Sequence, residues 1–412
     1  MAPIKNNNDI GLKPLSVNQV SVNQVSVVPS KPTHRIHYLD NLRATAMILG
    51  VFLHSAFAYA QPAQSVWLAT DPNSSIAIDA SIWFIHLFRM SLFFLLSGYF
   101  AKLIIERKGV KNFVWNRCLR ILVPFALFYP FLLAAMSVVI VFSLSYLVDP
   151  LGLMGLISTA AKDGTGAQKQ EPLSTMHLWF LYYLVAFSVI GVLLSNLKWL
   201  KLEILFRHPA SLLLFPLVLF PGAFAAGTPM PAPESFIPVW WPFVFYGSFY
   251  AAGWQLFGRE AFLETWRPYA WQSLGVCTVL FVPYYLLMPV LDLTTIVAGK
   301  SSQSFWIRGV QACLTSYLSA LLTITSVLLG QRYLASRSPF LGFIADSSYW
   351  VYLIHLPIVI FLQTLLIPLA LPWWLKFIAV LVGTLVPCLA TYVVFVRYTP
   401  LGWLLHGKRS FP

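Results

Sequence analysis

Ten runs of mostly apolar residues, each near the length needed to cross a bilayer, recur through this 412-residue chain and constrain its fold more than any motif does. They fall near 38–60, 80–105, 119–147, 174–197, 210–222, 238–258, 270–291, 306–330, 340–367 and 372–397. A backbone surrounded by lipid must satisfy its own hydrogen bonds, and segments of this length do so as helices. The expected fold class is therefore all-α: a polytopic membrane helical bundle of about ten transmembrane helices. Composition agrees, since 58% of residues are hydrophobic, only 10% are charged and mean hydropathy is +0.73, which excludes a soluble globular domain. The fifth run is short and ends in Pro and Gly, and the third is long enough to tilt.

Residues 1–37 differ from the rest, being rich in Asn, Ser, Val and Lys and carrying Ser-Val-Asn-Gln-Val twice, at 16–20 and 21–25. Low complexity reads as a disordered cytoplasmic tail, with the repeat as a spacer. The tail has neither the apolar core nor the small-residue cleavage site of a signal peptide, so the first run is expected to remain as a span. The expected division is a tail at 1–37, a transmembrane domain at 38–400 and a short cytoplasmic tail at 401–412. Cys118, Cys277, Cys313 and Cys388 show no metal-ligand or redox spacing, so neither a metal site nor a disulfide is expected.

Basic residues set the orientation, because Lys and Arg accumulate on the cytoplasmic side. With the N-terminus inside, only Lys162, Lys169 and Lys300 of the 27 Lys and Arg residues fall in outer loops, while Arg43, Arg89, Arg308 and Lys376 lie within spans or at their ends. Both termini are thus expected to be cytoplasmic. The same distribution accounts for the net charge of +13, which then implies a lipid bilayer rather than nucleic acid as partner. The dense cluster from Lys102 to Arg120 has two readings: an anchor to lipid headgroups, or an attractor for an anionic cytoplasmic ligand such as a nucleotide-bearing thioester.

Chemistry becomes visible where ionisable groups enter apolar runs. Asp40, Arg43 and His54 share one face of the first span, since eleven steps of about 100° return His54 to within roughly 20° of Arg43, and Asp40 lies about 60° away. Such a face belongs inside the bundle or against a water-filled cavity. Arg43 and His54 are separated by roughly 16 Å along the axis, so one sits near the cytoplasmic mouth and the other beyond midplane. His86 and Arg89, three residues apart on the second span, His177 at the start of the fourth and His355 beside Pro357 in the ninth all fall in the outer half. Neutral imidazole suits general-base work on a sugar hydroxyl, and guanidinium suits phosphate. The structural alternatives are an Asp40–Arg43 pair at a helix end and histidines hydrogen-bonded in the bundle or anchored at the interface.

The spacing of Arg43 and His54 in Leu-Asp-Asn-Leu-Arg…Phe-Leu-His-Ser resembles the hallmark of the membrane-bound acyltransferase family 3. Phe-Phe-Leu-Leu-Ser-Gly-Tyr-Phe at 93–100, Asn-Arg-Cys-Leu-Arg-Ile-Leu-Val-Pro at 116–124, His-Leu-Trp-Phe-Leu at 177–181 and Tyr-Trp-Val-Tyr-Leu-Ile-His-Leu-Pro at 349–357 extend the resemblance over roughly 35–400. Within the family the pattern is similar to the branch that places succinyl groups on osmoregulated periplasmic glucans. The resemblance implies an enzyme of the bacterial inner membrane that moves an acyl group from cytoplasmic acyl-coenzyme A, succinyl-CoA in that branch, to a carbohydrate hydroxyl. It implies no bound cofactor. Carried onto this chain, it makes His54 the catalytic residue and Arg43 its required partner, with Asp40 orienting Arg43, and gives Arg117 and Arg120 the donor phosphates. His86, Arg89, His177 and His355 are then candidates for the acceptor site, and the 148–173 loop for acceptor specificity. Direct attack on the thioester and an acyl-histidine intermediate both remain open. Two other classes stand beside this one: a transporter or flippase, for which buried charges and Pro-interrupted helices are ordinary, and a non-catalytic partner of a glycan-synthesis complex. The sequence leaves the oligomeric state undefined.

Overall fold

The computed structural model describes residues 37–61, 63–162, 174–195, 211–289 and 303–406. The 16–25 repeat, most of the N-terminal tail, residues 163–173 of the outer loop and the last six residues lie outside them. Among the described residues the chain is helical, without a β-strand. A helix occupies each of the ten apolar runs: His37–Ala56 (α1), Ile76–Arg117 (α2), Val123–Tyr146 (α3), Trp179–Ser195 (α5), Ser211–Ala226 (α6), Trp241–Leu256 (α7), Ala270–Leu286 (α9), Phe305–Tyr333 (α10), Pro339–Leu366 (α11) and Trp373–Thr391 (α12). Short helices Gly152–Lys162 (α4), Ala261–Trp266 (α8) and Pro400–His406 (α13) fill connections and the region read as a terminal tail. By length and composition six helical stretches can cross a membrane: His37–Tyr59, Ile76–Tyr146, Met176–Leu193, Phe305–Tyr333, Pro339–Leu366 and Trp373–Val396.

The hydropathy pattern places a break after residue 105, yet α2 continues through the basic stretch to Arg117. Most of its polar residues are good helix formers, so helical turns continue beyond the apolar layer on both sides of a break at Gly109. Gly109, at φ +81°, supplies the kink, a conformation that costs any residue with a Cβ. A π-helical turn, Cys118–Leu122, then leads into α3, whose exposed Phe131, Val138 and Val141 present the apolar surface expected of a lipid-facing helix.

The tightest crossing joins α2 to α7 through small residues. A Cβ on Gly98 would collide with the Tyr250 carbonyl, and one on Gly253 with that of Leu95. Gly98 and Gly253 are thus the packing point of the two helices. Around it, Phe94, Phe187, Phe245 and Phe249 fill the largest buried cluster. α1 packs between α2, α11 and α12, so the face carrying Asp40, Arg43 and His54 looks into the bundle.

Candidate active site

His54 ends α1, and its side chain meets His355 from α11, with Nδ1 of His54 3.0 Å from Nε2 of His355. The partners assign the protons. Nδ1 of His355 faces two carbonyl oxygens, Val351 at 3.0 Å and Tyr352 at 2.9 Å, which only accept. That nitrogen therefore carries the ring proton of a neutral imidazole, and Nε2 must accept from His54 Nδ1–H. Nε2 of His54 is left with its lone pair, and among the described residues it has no protein partner.

Pro357 helps to build the neighbouring contact. Lacking an N–H, it cannot donate to the carbonyl four residues earlier, and Leu353 O instead accepts from Nε2 of His177 at 3.1 Å. His177 packs edge-on to His355, their ring centroids 5.4 Å apart, and its Nδ1 is buried without a partner. His86 donates from Nε2 to the carbonyl of Met230 at 2.9 Å. Arg89, one turn further along α2, lies within electrostatic reach of His54, His86 and His355.

Two interhelical connections roof this cluster. In the 57–75 connection, Trp67 sits over His54 with centroids 5.6 Å apart and stacks on Phe57 at 4.8 Å. Gln363 of α11 holds both parts: it accepts from the Trp67 indole at 2.8 Å and donates to the carbonyls of His54 and Ser55 at 3.0 and 3.1 Å. Asp71 in the same connection forms a fully buried ion pair with Lys376 of α12 at 2.6 Å. In the 227–240 connection, Glu234 O accepts from the backbone of Thr175 at 2.6 Å, tying it to the entrance of α5.

The structure thus gathers His54, His86, Arg89, His177 and His355, and keeps the other proposed residues apart. Arg43 pairs with Asp40 at 3.7 Å and donates to Ala345 O at 3.2 Å, toward the opposite end of α1. Arg117 lies over the Phe113 ring at 5.0 Å, with Nε and Nη2 buried and unpartnered, and Arg120 is half-buried in the adjoining π-helical turn. His355, expected among acceptor-site residues, touches His54 itself. Sequence reasoning missed Trp67 and Gln363. A search for ionisable groups passes over an amide, although a Gln inside an apolar run was a readable signal; a Trp in an outer connection was not.

A multi-pass helical membrane protein with a roofed histidine site is the class that this fold and site define. The chain belongs to the acyltransferase family 3, whose model, described as an acyltransferase domain, matches residues 36–393, and it is an acyltransferase. Glucans biosynthesis protein C of Escherichia coli (strain K12) is 23% identical over 411 residues, covering 92% of this chain and 96% of the relative. The protein of that name from Salmonella heidelberg (strain SL476) is 24% identical over 404 residues, with the same shares covered. No solved structure matches.

Proposed function

We propose that this chain is an O-acyltransferase of the bacterial inner membrane, with ten spans and both termini inside. It moves an acyl group, succinyl being the first candidate, from cytoplasmic acyl-CoA to a hydroxyl of a periplasmic glucan or another surface glycan. The observation that carries this reading is the chain of hydrogen bonds from the Val351 and Tyr352 carbonyls through His355 to His54, which leaves Nε2 of His54 free as a base. The relatives' name supports glucan as the acceptor class.

In this mechanism His54 Nε2 takes the proton of the acceptor hydroxyl as its oxygen attacks the thioester carbonyl. The C–S bond then breaks, and protonated His54 returns the proton to the coenzyme A thiolate. His355 holds the ring of His54, while His86 and His177 line the acceptor side. Arg43, Arg117 and Arg120 meet the donor phosphates near the cytoplasmic mouth, with Asp40 orienting Arg43. Transfer is direct; a His54 acyl adduct trapped in a quenched donor-only reaction would replace this with a two-step route.

The test compares, by mass spectrometry, surface and periplasmic glycans from cells carrying the wild type, His54→Ala or no protein, at equal membrane expression. An acyl mass increment seen only with wild type is expected and identifies the group. Identical glycans in all three strains would remove the glycan reaction and bring transport forward.

A further inference from the structure

Of the four cations that the sequence places within spans or at their ends, three have oxygen partners. Arg43 has Asp40 and the Ala345 carbonyl, Arg308 has the carbonyls of Phe224 and Ala225, and Lys376 has Asp71. Arg89 differs. Among the described residues it forms neither an ion pair nor a hydrogen bond, and its Nε is buried without a partner. A guanidinium held in that way inside a bundle is costly unless an anion joins it.

Its location narrows what the anion is. Nη1 lies against the backbone of α1 at Gly50, where an added Cβ would come within 2.9 Å of it. Gly50 precedes His54 by four residues, which puts it on the same face within about 40° and roughly 6 Å toward the cytoplasmic end. A thioester reaching His54 from the cytoplasmic side brings its carbonyl past this point. The charge is therefore beside the place where negative charge develops during acyl transfer.

We propose that Arg89 binds the oxyanion of the tetrahedral intermediate. The inference rests on the acyl-CoA reading above. As the acceptor oxygen, losing its proton to His54 Nε2, bonds to the thioester carbon, the carbonyl π pair moves to oxygen and that O⁻ pairs with the Arg89 guanidinium. Collapse restores the carbonyl, breaks the C–S bond and sends the His54 proton to the departing thiolate. No redox partner is needed. Donors aimed at a developing oxyanion act on turnover rather than on ground-state binding.

The experiment measures kcat and KM with the full-length protein in membranes, using acetyl-, butyryl- and succinyl-CoA with a glucan acceptor. Arg89→Met is expected to lower kcat by about 10²- to 10³-fold with every donor while donor KM changes little. Arg89→Lys should keep part of the rate, and added guanidinium ion should restore part of it to Arg89→Ala. Gly50→Ala retains the charge but displaces Nη1, and should also lower kcat. A loss confined to succinyl-CoA would overturn the proposal and make Arg89 a reader of the acyl chain's carboxylate. So would a loss carried by KM, or one accompanied by lower thermal stability and no guanidinium rescue. His54→Ala separates the two levels of argument. Wild-type turnover in that variant removes the base reading, whereas wild-type turnover in Arg89→Met with a dead His54→Ala removes only the oxyanion.

Discussion

The bond between His54 Nδ1 and His355 Nε2 makes the two imidazoles testable separately, because only one of them is proposed to meet the substrate. His355→Ala removes the acceptor for the His54 Nδ1–H and frees the ring to turn. We expect kcat to fall by about tenfold to a hundredfold with donor KM little changed, and His355→Gln, whose amide oxygen can still accept, to retain more of the rate. Wild-type turnover of His355→Ala in membranes would end the orienting role. Gln363→Leu is a test of stability instead. It strips the Trp67 indole and two α1 carbonyls of a shared partner, at a cost of about 3 kcal/mol, to be read as a lower unfolding midpoint in detergent. An unchanged midpoint would mean that the amide does not hold the roof. At this scale His54, His86, Arg89, His177 and His355 were legible because an ionisable group in an apolar run is conspicuous. What contacts what was not: Pro357 was visible beside His355, but not as the reason why Leu353 O is open to His177.

Helices were legible at every run because hydropathy reports the apolar layer directly, but their ends were not, because helical turns can continue where the apolar side chains stop. The basic stretch of α2 around Arg107, Lys108 and Lys111 is the clearest instance, helical on both sides of the break at Gly109. The α2–α7 crossing depends on the absence of two Cβ atoms, so Gly98→Val should prevent folding, seen as loss of monodisperse protein from detergent extracts. Gly309→Ala, where nothing lies within 4 Å of the added carbon, should extract like wild type. A well-behaved Gly98→Val protein would show that the two helices do not cross so closely. The Asp71–Lys376 pair joins α12 to the outer connection in the same spirit. Lys376→Met alone leaves a carboxylate buried and should cost about 3–5 kcal/mol, whereas adding Asp71→Asn should recover most of it. Additive losses in a double-mutant cycle would show that the two groups are not coupled.

The number of crossings is decided by the three bundle helices that fall outside the six membrane-crossing stretches. α6, α7 and α9, with 16, 16 and 17 residues, extend only about 24–26 Å against a hydrocarbon core of roughly 30 Å. Their end contacts nonetheless match those of the longer helices. Met230, between α6 and α7, receives a hydrogen bond from His86 near the start of α2, and Glu234 O receives one from Thr175 at the start of α5. At one end of α9 the Trp271 indole donates to Tyr333 at the C-terminal end of α10; at the other, Tyr285 donates to Asp79 in the first turn of α2. These contacts are the ones that the proposed ten crossings require. Single cysteines at Asn73, Ile237, Lys111 and Arg337, in a background lacking the four native ones, test the count with a membrane-impermeant maleimide. Asn73→Cys and Ile237→Cys should react in spheroplasts, and Lys111→Cys and Arg337→Cys only after lysis. Protection of Ile237→Cys with the other three unchanged would turn α6 and α7 into an inner hairpin and leave eight crossings. It would also put the Met230 carbonyl on the wrong side of the membrane for His86, so the same labelling bears on how the acceptor side of the site is built.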